Sequence, residues 1–164
     1  MKLIFIRHGQ ATAYCADDAG RNLTDFGQAQ ALETAEHLAQ SYDVELIITS
    51  PFNRAEQTAR ILQKTLSTNG RSPALMILNG ITPDDDPKMG LNGIDNVITQ
   101  HFQNDDKDKT IAIICHMPIV AKMVSVLDDL PVCTFDLAEC RVLTTDVIAP
   151  SFATQVERFS PKQP

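Results

Sequence analysis

Cationic and imidazole side chains follow three short apolar runs of this sequence, at the point where each run ends. They are Arg7 and His8 after residues 3–6, Arg54 after residues 46–48, and His116 after residues 111–115. A guanidinium group donates parallel hydrogen bonds to the oxygens of a phosphate, and an imidazole near neutral pH can act as a nucleophile or a base. If the fold brings these side chains together, their types predict a small oxyanion pocket, with phosphate as its best ligand.

The apolar runs indicate the elements that position these residues. Because the runs do not alternate with polar residues, they are typical of strands covered by helices on both faces. Further strands are expected at residues 75–78, 142–149 and 152–159. Apolar residues recur at helical spacing between the strands: Leu32, Ala35, Ala39 and Tyr42; Ala55, Ala59, Leu62 and Leu66; Leu91, Ile94, Ile98 and Phe102; Val120, Met123, Val124 and Leu127. The pattern predicts an α/β fold, a three-layer α/β/α sandwich around a mostly parallel central sheet.

Ligands of open α/β sheets bind beyond the carboxyl ends of the strands, which is where the cationic residues fall. Ser50 is expected to cap the helix that follows it, which places Arg54 about one turn inside that helix. The N–H groups of helix N-termini favour anions at the same edge. Gly9 fits this site as well, since a residue without Cβ lets the backbone approach a ligand closely.

Four motifs, in order, resemble those of the histidine phosphatase superfamily, which includes the phosphoglycerate mutases. They are Arg7-His8-Gly9, the element R-N-L-T-D-F-G-Q-A-Q-A at residues 21–31, S-P-F-N-R-A-E-Q-T-A at residues 50–59, and His116-Met117-Pro118 where the family carries its second histidine. The ordered set is far more specific than any single motif. The short chain and the form of the last two motifs are similar to the SixA-type phosphohistidine phosphatases within that superfamily.

The resemblance implies a role for each matching residue. His8 would accept the phosphoryl group as the nucleophile. The phosphoryl oxygens would be surrounded by Arg7, Arg54 and His116, and Arg21 would approach the same pocket. Phosphoryl transfer depends mainly on positioning and charge neutralisation, so we expect neither a metal ion nor another cofactor. The same cations should disfavour protonation of His8 and keep its imidazole neutral and nucleophilic.

A general acid is the part of the family pattern that this sequence lacks. Many relatives place Glu or Asp after the strand that corresponds to residues 75–78, to protonate an alkoxide leaving group. Here the next carboxylates are Asp84, Asp85 and Asp86, one of which could still reach the site. Because an imidazole leaves a phosphoramidate with less help than an alcohol needs, the gap favours phosphohistidine. The expected partner is a histidine-phosphorylated protein, either a phosphotransfer domain or a phosphocarrier.

Other functions remain open from the residues. Cys15 and Arg21 have the C-x5-R spacing of thiol-based phosphatases, but Asp17 and Asp18 between them would repel a phosphate dianion. In the histidine phosphatase interpretation these two aspartates orient water or the arginines. A metal hydrolase is disfavoured because the histidines lack the usual ligand spacing. A small-molecule phosphomonoesterase and a non-catalytic phosphohistidine-binding module remain as alternatives.

The composition limits the kind of protein further. The 164 residues predict one domain, 1–164, without the lid insertion of larger family members. A formal charge of −7 argues against nucleic acid and anionic membrane surfaces as general partners. No apolar run resembles a signal peptide or a membrane span, so a cytoplasmic location is expected. The four cysteines show neither metal-ligand nor disulfide-framework spacing and are expected to be free thiols.

Overall fold

The computed structural model describes the whole chain, residues 1–164, as four helices and a six-stranded sheet. The elements in chain order are β1 (Lys2–Arg7), α1 (Asp25–Ser41), β2 (Leu46–Thr49), α2 (Asn53–Thr68), β3 (Ala74–Ile77), α3 (Pro87–Phe102), β4 (Thr110–Cys115), α4 (Ile119–Asp128), β5 (Cys140–Thr144) and β6 (Thr154–Phe159). None of the helices is long and apolar enough to cross a lipid bilayer.

The sheet has the strand order β3-β2-β4-β1-β5-β6. Neighbouring strands from β3 to β1 are parallel, whereas β5 is antiparallel both to β1 and to β6. Parallel neighbours need crossover connections, and α1, α2 and α3 lie in these connections. The two antiparallel strands at the other edge are joined by a turn, so the sheet is mixed but mostly parallel.

Two apolar cores hold the sheet between two layers of helices. Phe5 and Ile113 pack on one face with residues of α3 and α4, and Ile4 and Ala112 pack on the other face with residues of α1 and α2. Every residue of β4 is buried, which explains why its sequence is apolar throughout instead of alternating. The predicted three-layer α/β/α sandwich is confirmed.

The structure differs from the expected elements in two details. Leu32 is 44% exposed, because α1 turns Ala31, Ala35 and Leu38 toward the sheet instead. Residues 145–153 form a turn between β5 and β6, so the closing strands are shorter than their sequence suggested. Neither difference moves an element that carries a candidate site residue.

The carboxyl ends of β1, β2 and β4 meet at one edge of the sheet, because these strands are parallel and adjacent. Arg7 at the end of β1 is in register with Cys115 at the end of β4. The next residue on each strand, His8 and His116, therefore leaves the sheet beside the other. Helices α2 and α4 begin at the same edge.

Candidate active site

A cationic pocket of about 460 Å³ opens at this edge of the sheet. It is lined by all five of the expected arginine and histidine residues: Arg7, His8, Arg21, Arg54 and His116. Its wall is completed by Gln10, Ala11, Tyr14, Asp18, Pro83, Asp84, Met117 and Leu137. The volume far exceeds that of one phosphoryl group, so the pocket has room for part of the molecule that carries the phosphate.

His8 is nearly buried in this pocket, with 8% of its surface exposed. Its Nδ1 atom lies 2.7 Å from the carbonyl oxygen of Gly9. Because a carbonyl only accepts hydrogen bonds, Nδ1 must carry the ring proton. The lone pair of the neutral imidazole is then on Nε2, to which the Arg54 Nε–H donates at 3.1 Å. Nε2 is therefore the ring atom that has a lone pair available for nucleophilic attack.

Both pocket histidines are held in their neutral form. Burial, together with the smaller effects of the charges on Arg54, Arg7 and Arg21, lowers the pKa of His8 to about 3, although the hydrogen bond to the Gly9 carbonyl raises it. The pKa of His116 is lowered to about 2. Burial is the largest cause, and His8, Arg54 and Arg7 lower this pKa as well. The expected direction for His8 is confirmed, but removal from water contributes more than the cations do.

Ser50 orients the second histidine. Its Oγ atom lies 2.7 Å from His116 Nε2, and the Phe52 amide donates to the same oxygen at 3.5 Å. The hydroxyl can donate its hydrogen to Nε2, and in that arrangement the proton of neutral His116 is on Nδ1. The expected role of Ser50 as a helix cap is wrong, because α2 begins at Asn53 with Phe52 as its N-cap and no side-chain cap.

Two buried side-chain polar atoms lack a hydrogen-bond partner in this protein, Arg7 Nε and His116 Nδ1. Both residues line the pocket, and the ring centres of His116 and His8 are 5.0 Å apart. A buried polar group without a partner costs roughly 1–3 kcal/mol, so such groups are rare. With a proton on Nδ1, both atoms are donors. Two residues of the pocket wall thus keep a free donor that could serve the oxygens of an anion.

Asp18 holds two arginines in place. Its carboxylate accepts from Arg54 Nη2 at 3.0 Å and from Arg21 Nη1 at 2.8 Å, and its carbonyl oxygen accepts from Arg54 Nη1 at 2.6 Å. The hydrogen bond from Arg21 is the main cause that lowers the pKa of Asp18. Arg21 donates its remaining N–H groups to the Thr12 carbonyl. Asp17 instead accepts from a backbone amide of its own loop, so only Asp18 orients the arginines.

Gly9 does not line the pocket, in contrast to the expectation that it would approach the ligand. A Cβ atom at this position would lie 2.3 Å from the Gly27 carbonyl oxygen, near the start of α1. Its amide donates to Thr58 Oγ1 at 3.3 Å. Glycine is required here because the chain after β1 packs closely on α1. Its influence on the site is indirect, through the carbonyl that orients His8.

Asp84 is the one candidate acid that lines the pocket. Asp85 accepts from the amide and the hydroxyl of Thr82 at 2.7 Å. Asp86 caps α3 by accepting from two amides of its first turn. These bonds hold Asp85 and Asp86 in the loop before α3. Asp84 remains exposed at the pocket.

The alternative catalytic groups are not part of this pocket. Cys15 is exposed and its Sγ atom lies 3.3 Å from the carbonyl oxygen of Asp17, outside the pocket wall. No group of three or more His, Cys, Asp or Glu side chains is arranged to hold a metal ion. All four cysteines are free thiols, as expected. The chemistry that the pocket offers is that of its histidines and arginines.

The segment between α4 and β5 makes contacts that no sequence signal indicated. The Phe135 carbonyl accepts from Arg7 Nη1 at 2.7 Å, and the Ala138 amide donates to the carbonyl of His8 at 3.1 Å. Leu137 lines the pocket. Because backbone groups make the two hydrogen bonds, the residue types of this segment do not reveal them.

Comparisons with known proteins point to one family. The model of the histidine phosphatase superfamily (branch 1) matches residues 3–73. The phosphohistidine phosphatase SixA of Escherichia coli (strain K12) is 29% identical over 128 residues, which are 77% of this chain and 74% of that protein. A solved structure of the protein histidine phosphatase SixA complexed with tungstate has a TM-score of 0.82 at 24% identity, and the match covers 98% of this chain and 97% of that one.

The fold is shared more widely. A solved structure of a mycobacterial glucosyl-3-phosphoglycerate phosphatase with VO3 has a TM-score of 0.71 at 15% identity, covering 98% of this chain and 99% of that one. The residues matched by the family model include Arg7, His8, Arg21 and Arg54, which meet in the pocket. Residues 3–73 thus resemble the histidine phosphatase superfamily, and the chain is a phosphatase similar to the SixA-type members of that superfamily.

Proposed function

We propose that this phosphatase removes phosphoryl groups from histidine-phosphorylated proteins, either a phosphotransfer domain or a phosphocarrier, through a phosphohistidine intermediate on His8. The observation that carries the proposal is the unprotonated Nε2 of His8, in one pocket with two residues that have unpartnered donors, Arg7 Nε and His116 Nδ1. The similarity to SixA, a phosphohistidine phosphatase, supports the same substrate class. Tungstate, which is bound in a SixA structure, is an oxyanion like phosphate.

In the first step, His8 Nε2 attacks the phosphorus atom and the bond from phosphorus to the substrate imidazole breaks. Arg54 exchanges its contact with Nε2 for a phosphoryl oxygen, and Arg7 and His116 donate to the other oxygens. The substrate ring keeps a proton on its second nitrogen, so it departs as a neutral imidazole. The bond that forms is of the same kind as the bond that breaks, and the fixed cations stabilise the charge on the phosphoryl oxygens.

In the second step, water attacks the phosphorus atom of phosphorylated His8 and the bond to Nε2 breaks. The released phosphate takes a proton from the water, and His8 returns to its neutral form with the proton on Nδ1. The Gly9 carbonyl stabilises the positive charge that the phosphorylated ring carries in between, since it accepts from Nδ1 in both states. The cycle requires no metal ion, because the arginines supply the positive charge.

The experiment compares turnover of a histidine-phosphorylated phosphotransfer domain with turnover of a phosphoserine peptide and p-nitrophenyl phosphate. We expect the wild type to hydrolyse the phosphohistidine protein fastest, with or without excess chelator. Rapid acid-free quenching should trap phosphate on the wild type and not on His8→Ala. His101→Gln, which removes a histidine remote from the pocket, serves as the matched control and should behave like the wild type.

Faster turnover of either ester than of the phosphohistidine protein would refute the substrate assignment and favour a small-molecule phosphomonoesterase that uses Asp84 as its acid. Binding of the phosphoprotein without turnover or a trapped intermediate would make the chain a binding module.

A further inference from the structure

Glu139 is a buried carboxylate surrounded by donors, immediately before β5. None of its surface is exposed. Oε1 accepts from Arg141 Nε at 2.6 Å and from Arg158 Nε at 2.9 Å, and Oε2 accepts from the Asp136 amide at 2.8 Å and from Arg158 Nη2 at 2.9 Å. These donors come from β5, from β6 and from the preceding segment. The carboxylate thereby ties residues 133–139, which we name the β5 entry loop, to the antiparallel edge of the sheet.

The β5 entry loop is in turn bonded to the two residues at the end of β1. The Glu139 carbonyl accepts from the Arg7 amide at 3.1 Å, and the Phe135 carbonyl accepts from Arg7 Nη1 at 2.7 Å. The Ala138 amide donates to the His8 carbonyl at 3.1 Å. Both the backbone and the guanidinium of Arg7 are therefore placed by this loop.

Arg141 connects Glu139 to the carbonyl that holds Arg7. Its guanidinium lies over the Phe135 ring, 3.9 Å from the ring centre, and its Nη2 donates to the Thr134 carbonyl at 2.6 Å. Phe135 is itself buried, at 2% exposure. With its Nε bound to Glu139, Arg141 holds both the Phe135 ring and the peptide unit that precedes Phe135.

The loop is held in a conformation that it would not adopt by itself. Ala138 has φ 55, in the left-handed region that residues with a Cβ atom avoid. Its carbonyl accepts from Thr34 Oγ1 at 2.8 Å, and its amide is bonded to His8. Such a conformation persists only where surrounding contacts over-determine it, and it is common near functional sites.

We propose that Glu139 is a positioning residue of the phosphatase, which acts through Arg141 and the β5 entry loop to aim the Arg7 guanidinium at the phosphoryl group. The Arg7 guanidinium, whose buried Nε has no partner, is then held at the pocket wall by a carboxylate that does not itself line the pocket. A misplacement of about 1 Å in such a group can lower a rate by about 100-fold. The inference rests on the proposed role of Arg7 in binding the phosphoryl oxygens.

The test is a double-mutant cycle between Glu139→Gln and Arg7→Lys, with two readouts. Tungstate affinity is measured by calorimetry, and kcat/KM is measured on a histidine-phosphorylated phosphotransfer domain, below the unfolding transition of every variant. We expect Glu139→Gln alone to lower both by about 10- to 100-fold. In the Arg7→Lys background the same change should lower them less than about 2-fold, because residues that act through one another are not additive.

Glu45→Gln is the matched control. Glu45 pairs with Lys109 at 2.9 Å and directly precedes β2, at the amino end of the parallel strands, whereas the pocket lies at their carboxyl ends. It should lower thermal stability without changing tungstate affinity.

If Glu139→Gln does not fold, Arg158→Gln is used instead, because it removes the β6 donors of the same carboxylate. A loss of tungstate affinity in this variant that disappears in the Arg7→Lys background supports the proposal equally. Equal losses in both Arg7 backgrounds, or losses no larger than those of Glu45→Gln, would overturn it. If Arg7→Lys alone leaves tungstate affinity unchanged, the role of Arg7 in the proposed function is the part that is wrong.

Discussion

His8 and His116 face the pocket as neutral rings because burial removes them from water before any anion arrives. The residue types that meet in the pocket could be predicted, since an arginine or histidine that follows an apolar run can be identified from the sequence alone. It did not predict which ring nitrogen carries the proton. That property depends on the Gly9 carbonyl and on the Ser50 hydroxyl, and the Ser50 contact exists only once β2 and β4 are paired.

The neutral histidines make the stability of the protein dependent on pH. Their pKa values fall from 6.5 to about 3 for His8 and about 2 for His116 on folding, so the unfolded chain binds more protons below pH 6.5. The free energy of unfolding should therefore decrease as the pH falls from 6.5 toward 3, by up to about 1.4 kcal/mol per pH unit for each ring. Above pH 6.5 both rings are neutral in the folded and the unfolded chain, so they no longer change the free energy of unfolding with pH.

Urea unfolding between pH 6.5 and 5, in buffer free of phosphate and sulfate, measures this slope while most carboxylates stay ionised. His116→Gln should reduce the slope by up to about one proton, or about 1.4 kcal/mol per pH unit. His101→Gln, outside the pocket, should not reduce it to the same extent. A wild-type stability that stays constant over this range would contradict the buried neutral histidines.

Among the elements, the order and type of every helix and strand could be predicted, because the apolar runs and the helical spacing of residues such as Ala55, Leu62 and Ile94 match their burial. The helix face of α1 was predicted less well. Leu32 fits the apolar spacing, yet the close packing of Gly27 on the chain after β1 fixes α1 in a rotation that exposes it. The β5 entry loop was not predicted at all, since its backbone contacts have no residue signature.

The contact between α1 and the chain after His8 leads to a prediction about Gly27. A Cβ atom there would lie 2.0 Å from the Gln10 carbonyl oxygen, which cannot move without disturbing the Gly9 carbonyl that orients His8. Gly27→Ala should therefore lower the free energy of unfolding by about 1–3 kcal/mol. It should also lower kcat/KM by about 10-fold or more, since the His8 ring is displaced.

Gly80→Ala is the matched control, because a Cβ atom at Gly80 meets no other atom within 4 Å. Urea denaturation and turnover of the phosphohistidine protein measure both effects. If Gly27→Ala behaves like Gly80→Ala, the packing of α1 is not what holds the loop after β1.

At the scale of the whole molecule, a formal charge of −7 surrounds a pocket in which Arg7, Arg21 and Arg54 converge. Convergent cations repel one another, and Asp18 offsets only part of this repulsion through Arg21 and Arg54. An oxyanion that binds the folded pocket and not the unfolded chain should therefore stabilise the protein.

Tungstate at about 100 times its dissociation constant should add about 2.7 kcal/mol to the free energy of unfolding, or about 5–10 °C to Tm. Arg54→Gln should abolish most of this shift. Arg60→Gln removes the same charge from the exposed side of α2, where Arg60 pairs with Glu56, and should leave the shift intact. Equal shifts in the two variants would show that the anion binds elsewhere. The measurement is differential scanning calorimetry with increasing tungstate.

The central place of β1 in the sheet has a consequence for synthesis of the chain. Both strands that flank β1, β4 and β5, come from the second half of the sequence. A nascent chain that has emerged as far as residue 73 already contains His8 and Arg54, but it contains neither of the strands that pair with β1. The pocket can therefore assemble only late in translation. Until then we expect the nascent chain to be inactive and the apolar strand β1 to be unpaired. We expect the nascent chain to depend on chaperones that cover β1. This dependence should be greater than for a protein in which neighbouring strands of the sheet follow one another in the sequence.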